Sequence, residues 1–373
     1  MTAEDKKHPI MLGLALVAII AAIIWLNNGP VKLSTPAASP IGSNVTATSV
    51  AAPSPTCNGK APELAGIADY INVDSITVRE HLCKDVILVD FWTYTCINCQ
   101  RTLPYLTTWD QKYRDKGLVI IGVHAPEFEF EKKRDNVLEA VKTWGIEYPI
   151  VLDNDHATWQ AYANRFWPHK YLIGIDGNIV YDHVGEGGYE ETEARIQQEL
   201  MRRAEVLGMH GNITRPIVMP EEAVPVDYYR IGTPEIYFGY GFYRGNVGNI
   251  NQGVPDQKMT FSSPERLEPN QAYLQGDWII HADHAELAGE QGKVLLAYKA
   301  KVVNIVASGP ADILTLVDGS EPDAAHGYSV DAHGRGRVDD ETLYELVSSP
   351  DYGQHIIEIR ARKGFRLYTF TFG

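Results

Sequence analysis

The hydrophobic and polar positions along the chain divide it into an apolar N-terminal run, a polar connecting segment and two folded regions. Residues 10–26 form a run of 17 uncharged, mostly apolar residues that follows Lys6 and Lys7. As a helix this run would span roughly 25 Å, close to the thickness of a hydrocarbon core. Because basic residues stay on the cytoplasmic side, we expect a cytoplasmic tip and signal anchor over 1–28, with the rest of the chain exported. A cleaved signal peptide is the alternative.

The next segment lacks the apolar residues that a folded core needs. Residues 29–56 are rich in Pro, Ser, Thr and Ala, and such a composition cannot bury enough apolar surface to order itself. We therefore expect a flexible linker over 29–60, which would tether the folded regions to the membrane face.

Residues 61–210 alternate between strand and helix patterns. Short β-branched runs at 86–92, 118–124 and 148–152 predict buried strands. Helical spacing follows at 96–115, 130–144, 156–163 and 189–206, and Asp176-Gly177 predicts a hairpin turn between two further strands. The segment INVDSIT (71–77) is typical of an edge hairpin. This order of elements predicts an α/β domain with a mixed central sheet.

Beyond residue 225 the helical patterns fade and short alternating runs recur, separated by Gly, Pro, Asn and Asp clusters. This pattern predicts an all-β sandwich domain over 225–373 with a jelly-roll-like topology. The fold class is therefore an α/β domain followed by an all-β domain, with an N-terminal transmembrane helix.

Charge excludes one class of partner. The 373 residues carry a formal net charge of −15, and an acidic surface repels phosphate backbones. We expect no nucleic-acid partner.

Candidate chemistry lies at Cys96 and Cys99, which form a Cys-x-x-Cys motif directly after the strand pattern VILVDFW. On the first turn of a helix this spacing brings both sulfurs to one face. The helix N-terminus would stabilise the Cys96 thiolate, which makes Cys96 the nucleophile. Cys99, one turn further in, would resolve the mixed disulfide. A zinc site made of all four cysteines is the alternative, but the second paired motif typical of zinc knuckles is absent.

The surrounding residues resemble the thioredoxin superfamily. VDFWTYTCINC matches its active-site segment, Pro104 matches the proline in its active-site helix, and RFWPHKYLIG matches the segment that holds its cis-proline. Over roughly 61–373 the strings GVHAPEFEFEK and RFWPHKYLI resemble the soluble part of DipZ-type proteins more closely. Those proteins fuse a CcdA-like electron carrier to a thioredoxin domain and a C-terminal β domain that looks like a carbohydrate-binding module. A single predicted anchor replaces the polytopic part here.

The resemblance implies roles for further residues. Asp90 matches the family's buried acid, and burial should raise its pKa so that it exchanges a proton with Cys99. Pro168 matches the cis-proline, which would place the backbone of Trp167 where a substrate peptide could pair with it. Trp92 and Tyr94 are expected at the rim of the substrate site, although core packing explains Trp92 almost as well.

Other candidates near the site have a plain structural alternative. Glu127 would tune the thiols or would be a solvated loop residue. His169 could sense pH, but a surface histidine is the expected interpretation. Thr102 stands where related extracytoplasmic reductases often carry a glutamate, so that acid is absent.

Cys57 and Cys83 lie outside the motif. In an oxidising compartment they would form a structural disulfide, and two separate buried or free thiols are the alternative.

Ligand sites in the β domain are weakly encoded. Sugars could stack on exposed aromatic side chains, yet strand aromatics are usually core; the candidates are Tyr237, Tyr240, Tyr243 and Trp278. A metal could bind His281, Asp283 and His284, but a polar cluster at a strand end is the expected interpretation, and no metal is assigned.

These observations predict a thiol–disulfide oxidoreductase that reduces protein disulfides, anchored by a single pass in the inner membrane with its catalytic domain in the periplasm or extracytoplasmic space. Its redox-active group would be the Cys96–Cys99 disulfide, with no other cofactor. The expected partners are exported protein disulfides or thiols; a membrane electron donor of the CcdA/DsbD type and a glycan at the C-terminal domain are further candidates. The alternatives are a glycan- or partner-binding protein with a thioredoxin scaffold, and a redoxin-type peroxidase.

Overall fold

The computed structural model describes residues 58–209, 213, 216–217, 219–250, 254–262 and 264–373. The predicted anchor at 1–28, most of the predicted linker and Cys57 lie outside these residues. Within the described part of the chain, no helix combines the length and the apolar character needed to cross a membrane.

The first folded region is built on a six-stranded mixed sheet with the strand order β1-β4-β3-β2-β5-β6. Strands β2, β3 and β4 run parallel, whereas β1, β5 and β6 pair antiparallel with their neighbours. The strands are β1 (Asp69–Ile71), β2 (Val86–Trp92), β3 (Leu118–His124), β4 (Ile150–Leu152), β5 (His169–Ile173) and β6 (Ile179–Val184). All seven residues of β2 are buried, because β2 lies in the middle of the sheet with helices on both faces.

Five α-helices accompany this sheet; four lie close to their predicted positions, and the first was not predicted. They are α1 (Val78–His81), α2 (Ile97–Tyr113), α3 (Arg134–Thr143), α4 (Ala157–Ala161) and α5 (Tyr189–Val206), with short 3-10 turns at Arg114–Lys116 and Glu129–Lys132. The predicted Asp176-Gly177 turn joins β5 to β6, and Gly177 adopts the positive φ of 81° that this turn requires. The α/β prediction is confirmed.

The predicted edge hairpin at INVDSIT is wrong. Only Ile71 of that segment lies in a strand, and β1 pairs with β4 across a long stretch of sequence. A period-two pattern does not reveal the partner of a short edge strand, because pairing depends on contacts made elsewhere in the chain.

The C-terminal region is all-β, as predicted. Its strands are β7 (Ile236–Tyr237), β8 (Lys258–Phe261), β9 (Ala272–Ile280), β10 (Ala285–Leu287), β11 (Gln291–Ser308), β12 (Ala311–Val317), β13 (Arg335–Val338), β14 (Thr342–Arg362) and β15 (Arg366–Phe372). They form one hydrogen-bonded network rather than two separate sheets. β11 pairs with both β15 and β9, and β10 pairs with both of these, so four strands close a small barrel. Register shifts along the long strand β11 let it bend between its partners.

The two regions share a hydrophobic core. Phe128 and Phe130, in the segment after β3, lie 5.1 and 4.7 Å from the Tyr368 ring of β15. Tyr237 and Leu343 of the β domain belong to the same buried cluster as Trp92 and the active-site helix α2. The β domain therefore packs directly against the segments that carry the predicted redox site.

Candidate active site

Cys96 lies where the central strand β2 passes into helix α2. Cys96 is the N-cap of α2, and its Sγ accepts a hydrogen bond from the backbone N–H of Cys99 at 3.4 Å. Two hydrogen bonds fix the turn before it. The Cys96 N–H donates to the Thr93 carbonyl, and the Gln100 side-chain amide donates to the Tyr94 carbonyl at 2.8 Å. An N-cap sulfur faces the unpaired N–H groups of the first turn, which favour a negative charge.

The two sulfurs differ in exposure. Cys96 is half-buried and both thiols are free, whereas Cys99 is only 1% exposed. Burial raises the pKa of the Cys99 thiol well above its usual range, and the neighbouring Cys96 and Asp90 raise it further. Cys96 can therefore meet a substrate disulfide, and Cys99 needs a proton acceptor before it can attack.

Asp90 supplies a carboxyl group beneath the pair, as the sequence predicts. It is buried, its Oδ1 has no hydrogen-bond partner among the described residues, and burial raises its pKa to about 7. A carboxyl group with that pKa can both take up and release a proton near neutral pH.

Lys170 is a buried lysine whose charge acts on Asp90, and the sequence analysis did not identify it. It lies opposite Asp90 in the register of β2 and β5 and is fully buried. Its charge lowers the pKa of Asp90 against the effect of burial, and burial in turn lowers the pKa of Lys170. Its Nζ donates to the Gly185 carbonyl at 3.1 Å. The one sequence signal for it is its position two residues after the predicted cis-proline.

Glu131 is a second missed residue, and it anchors the loop before Cys96. One carboxylate oxygen accepts the Thr95 hydroxyl hydrogen bond, and the other accepts the Phe128 N–H at 3.0 Å. Its side chain is fully buried, and burial raises its pKa. In the sequence it stands out only as part of the string EFEFEK, which carries the family resemblance.

Trp92 and Tyr94 do not form an open rim. They are 1% and 5% exposed, which corrects the prediction that they shape the surface of the site. Trp92 packs edge-on against His124. The hydroxyl of Tyr94 donates to the Glu341 carbonyl of the β domain at 3.0 Å. The β domain covers this side of the site, a contact that no local sequence pattern indicates.

Pro168 precedes β5, and its bond to Trp167 is cis. Trp167 is half-buried, donates from Nε1 to the Ala125 carbonyl at 2.9 Å and packs on the Trp159 ring at 4.2 Å. Its ring is thereby fixed between the loops after β3 and before β5. Contact with a substrate at Trp167 and Pro168 stays a prediction.

His169 is buried, not a surface residue as expected. Its two ring nitrogens face Asn164 Oδ1 at 2.6 Å and Asp182 Oδ2 at 3.0 Å. Burial lowers its pKa. The reason is its place on β5, between the buried strand β2 and the edge strand β6.

Glu127 faces the β domain. The Tyr237 hydroxyl donates to its Oε1 at 2.7 Å. Burial, together with the nearby acids Glu131 and Glu235, raises the pKa of Glu127 to about 8. It is therefore neither a solvated loop residue nor in hydrogen-bond contact with the thiols.

A cavity of about 550 Å³ lies against the first turns of α2, and neither cysteine lines it. Ile97, Gln100 and Arg101 of the active-site helix line one wall, and Lys301 and Tyr352 of the β domain line another. Arg101 is held there by a buried ion pair with Glu186 at 2.9 Å. This cavity is large enough to receive a side chain or a short peptide segment against the helix that Cys96 caps.

Two other predicted features are placed as follows. Cys83 is disulfide-bonded; Cys57 lies outside the described residues, so its pairing with Cys83 stays a prediction. Trp278 and Tyr237 are buried in strand cores, which removes them as sugar-stacking surfaces, whereas Tyr240 is 45% exposed.

Comparisons with known proteins agree with both halves of the chain. Residues 72–200 match the family described as Redoxin, and residues 233–373 match the family described as Thioredoxin like C-terminal domain. Protein DipZ of Mycobacterium tuberculosis is 34% identical over 322 residues, which cover 84% of this chain and 43% of that protein. The chain thus spans less than half the length of the DipZ proteins.

A shorter relative covers the first folded region. The thiol-disulfide oxidoreductase YkuV of Bacillus subtilis is 27% identical over 139 residues, which cover 37% of this chain and 93% of YkuV. NHL repeat-containing protein 2 of Bos taurus is 39% identical over 132 residues, 35% of this chain and 18% of that protein. The chain belongs to the thioredoxin/redoxin superfamily and carries a thioredoxin-like C-terminal domain.

Proposed function

We propose that this protein reduces disulfides of exported proteins from a position anchored at the inner membrane. The observation that carries the proposal is the asymmetry of the thiol pair: Cys96 is half-buried at the start of α2, and Cys99 is buried behind it above Asp90. An attacking thiol must reach its substrate, whereas a resolving thiol must wait for the mixed disulfide.

The reaction proceeds in two exchanges. The Cys96 thiolate attacks one sulfur of a substrate disulfide, which forms a Cys96–substrate disulfide and releases the other substrate sulfur as a thiolate. Cys99 then gives its proton to Asp90 and attacks Cys96 Sγ, so the second substrate sulfur leaves reduced. The enzyme ends with a Cys96–Cys99 disulfide, and two electrons from a dithiol donor must restore it.

The electron donor and the location are part of the proposal. The apolar run at 10–26 after Lys6 and Lys7 supports export of the folded regions across the inner membrane. We propose a membrane dithiol carrier of the CcdA/DsbD type as the electron donor there, in line with the resemblance to DipZ-type proteins; the match covers 43% of DipZ. An alkaline phosphatase reporter fused after residue 60 should be active; an inactive fusion would contradict export.

The cavity beside Ile97 and Gln100 is the proposed entry for substrate. Its walls come from both domains, so the β domain would help to select substrates as well as cover the active-site loop. Glycan binding by the β domain stays a secondary proposal. Among the predicted sugar-stacking residues, Tyr240 is the one that is exposed.

The test is reduction of insulin disulfides by the full chain with dithiothreitol as electron source. Cys96→Ser should abolish the catalysed rate, and Cys99→Ser should accumulate a mixed disulfide through Cys96. Thr108→Ser is the matched control, because it lies on the same helix and Ser keeps the hydroxyl that donates to the Pro104 carbonyl. An unchanged rate in Cys96→Ser would exclude this mechanism.

The direction of electron flow needs a separate measurement. Equilibration of the Cys96–Cys99 pair with glutathione gives its midpoint potential. A reductase requires a potential near or below that of thioredoxin, about −270 mV. A value near that of strong oxidants, about −120 mV, would instead assign the protein to disulfide formation.

A further inference from the structure

Two histidines stand side by side in the turn between β9 and β10. The His281 N–H donates to the His284 carbonyl at 2.8 Å, which closes residues 281–284 into a tight turn. The two imidazole rings lie 4.6 Å apart, centroid to centroid. Glu286 lies on β10, two residues after His284, which directly precedes this strand.

Each ring is oriented by a carboxylate. His281 Nδ1 lies 2.8 Å from Asp256 Oδ1, and His284 Nδ1 lies 2.6 Å from Asp283 Oδ1. A carboxylate accepts hydrogen bonds only, so Nδ1 carries the hydrogen in both rings. In the neutral ring that leaves the lone pair on Nε2, the form in which histidine binds a metal.

The free nitrogens converge with a third ligand. One nitrogen of each histidine and one oxygen of Glu286 lie within 4.8 Å of one another, and His281 Nε2 is 3.6 Å from Glu286 Oε2. His284 Nε2 is shielded from solvent and has no hydrogen-bond partner among the described residues. An unpaired buried acceptor is costly, and a cation at this point would satisfy it.

We propose that His281, His284 and Glu286 bind a divalent transition-metal ion, zinc in the first place. Two imidazoles and one carboxylate suit Zn²⁺, and copper and nickel less selectively, whereas Mg²⁺ and Ca²⁺ prefer oxygen ligands alone. Zinc–ligand bonds of about 2.0–2.2 Å require the three ligand atoms to move slightly closer to one another. Small side-chain rotations allow this movement. Three protein ligands leave one position for water or for a partner's side chain.

The outer contacts support a metal site. Asp256 and Asp283 hold the two imidazoles, and Arg366 Nε donates to Glu286 Oε2 at 3.3 Å. Metal ligands generally have such hydrogen-bonded partners, which fix their orientation. The structure thus assigns Asp283 an orienting role, and Glu286 takes the ligand role that the sequence pattern indicates for Asp283.

The site also touches the redox domain. Asp283 Oδ2 accepts a hydrogen bond from the Glu129 N–H at 3.5 Å, and the His284 ring lies 5.0 Å from Tyr368, which packs on Phe128 and Phe130. A bound ion would therefore stiffen the turn that rests against the segment after β3.

The experiment is a zinc titration of the full chain that carries Cys96→Ser and Cys99→Ser, so that the redox thiols supply no ligands. Competition with a chromophoric chelator should give one zinc per chain. His284→Ala and His281→Ala should each weaken binding by at least about 100-fold, and Asp283→Asn by about 10–100-fold. The Co²⁺-loaded protein should show visible absorption that His284→Ala removes.

The matched control is His333→Ala. His333 also pairs with a carboxylate, Glu321 at 2.8 Å, but it is not a member of the three-ligand cluster. This variant should bind zinc as tightly as its parent. The proposal is overturned if the folded parent binds no stoichiometric zinc, or if His281→Ala and His284→Ala bind it unchanged. Near-UV circular dichroism of each variant separates a lost site from a lost fold.

Discussion

Asp90 and Lys170 face each other across strands β2 and β5, both fully buried beneath the Cys96–Cys99 pair. The lysine acts on the acid through its charge, and the acid acts on Cys99 in the same way. The resolving thiol, a proton acceptor and a cation that sets the affinity of that acceptor are thereby placed in one water-poor region. The acid and the cation lie on different strands and are 80 residues apart in the chain.

Lys170→Met should move the pH dependence of mixed-disulfide resolution to higher pH. Loss of the positive charge removes the effect that lowers the pKa of Asp90, so that this pKa rises above about 7. At a fixed pH below the pKa, the rate should fall about tenfold when the pKa of Asp90 rises by about one. Stopped-flow measurement of the second exchange step between pH 5 and 9 checks it. Lys363→Met, at an exposed lysine, is the control. An unchanged pH–rate profile in Lys170→Met would mean that Lys170 contributes to packing only.

Asp90→Asn should stabilise the oxidised protein at high pH. The folded-state pKa of Asp90 is raised to about 7 from 3.8, so between these values the folded state holds a proton that the unfolded state has lost. Stability therefore falls as pH rises through this window. A pKa difference of one between the folded and unfolded states corresponds to about 1.4 kcal/mol. Asn should therefore add about 2–4 kcal/mol to the free energy of unfolding at pH 8 and little at pH 4.

Urea unfolding of the oxidised protein at the two pH values measures this difference. Asp115→Asn, at an exposed aspartate, should change neither value. An Asp90→Asn variant with the same gain at both pH values would show that the effect is packing and not ionisation. The same variant should slow resolution by about 10²-fold or more, because the proton acceptor of Cys99 is gone.

Glu131→Gln should loosen the loop that precedes Cys96. The carboxylate accepts hydrogen bonds from the Thr95 hydroxyl and from two backbone N–H groups. In the Gln side chain an NH₂ group replaces one of the two accepting oxygens, so at least one of these hydrogen bonds is lost. The expected loss is about 1–3 kcal/mol of unfolding free energy. Hydrogen exchange at residues 93–96 should accelerate. Glu129→Gln, in the same turn but exposed, is the control, and equal exchange in both variants would contradict the anchoring role.

The sequence predicted the parts of the site that are local in the chain. The strand ending in VDFW, Cys96 and the helix that follows all depend on neighbouring residues, and the structure has them at the expected positions. The burial of Asp90 was implied by the family resemblance, and the structure has all seven residues of its strand buried.

The residues that were missed depend on tertiary pairing. Lys170 acts only because β5 pairs with β2 in a register that sets it opposite Asp90. His169 is buried for the same reason, although its polarity predicts exposure. Tyr94 is covered by Glu341, which follows it by 247 residues. No local pattern contains these contacts, because each one requires two distant segments to be folded first.

Tyr94→Phe tests whether the β domain steadies the redox loop. The Tyr94 hydroxyl donates to the Glu341 carbonyl at 3.0 Å and accepts from Asn136 Nδ2 at 3.1 Å, so its loss leaves two polar groups without this partner. We expect a loss of about 1 kcal/mol, which corresponds to about fivefold faster exchange of amides that open with this contact.

Hydrogen exchange should therefore accelerate together at residues 93–96 and 339–343, on both sides of the contact. Tyr243→Phe is the control, because its hydroxyl bonds to Val247 within the β domain, and it should leave residues 93–96 unchanged. If Tyr94→Phe accelerates exchange on one side alone, the two domains open independently there. Acceleration on both sides would mean that the β domain holds the loop whose geometry sets Cys96 at the start of its helix.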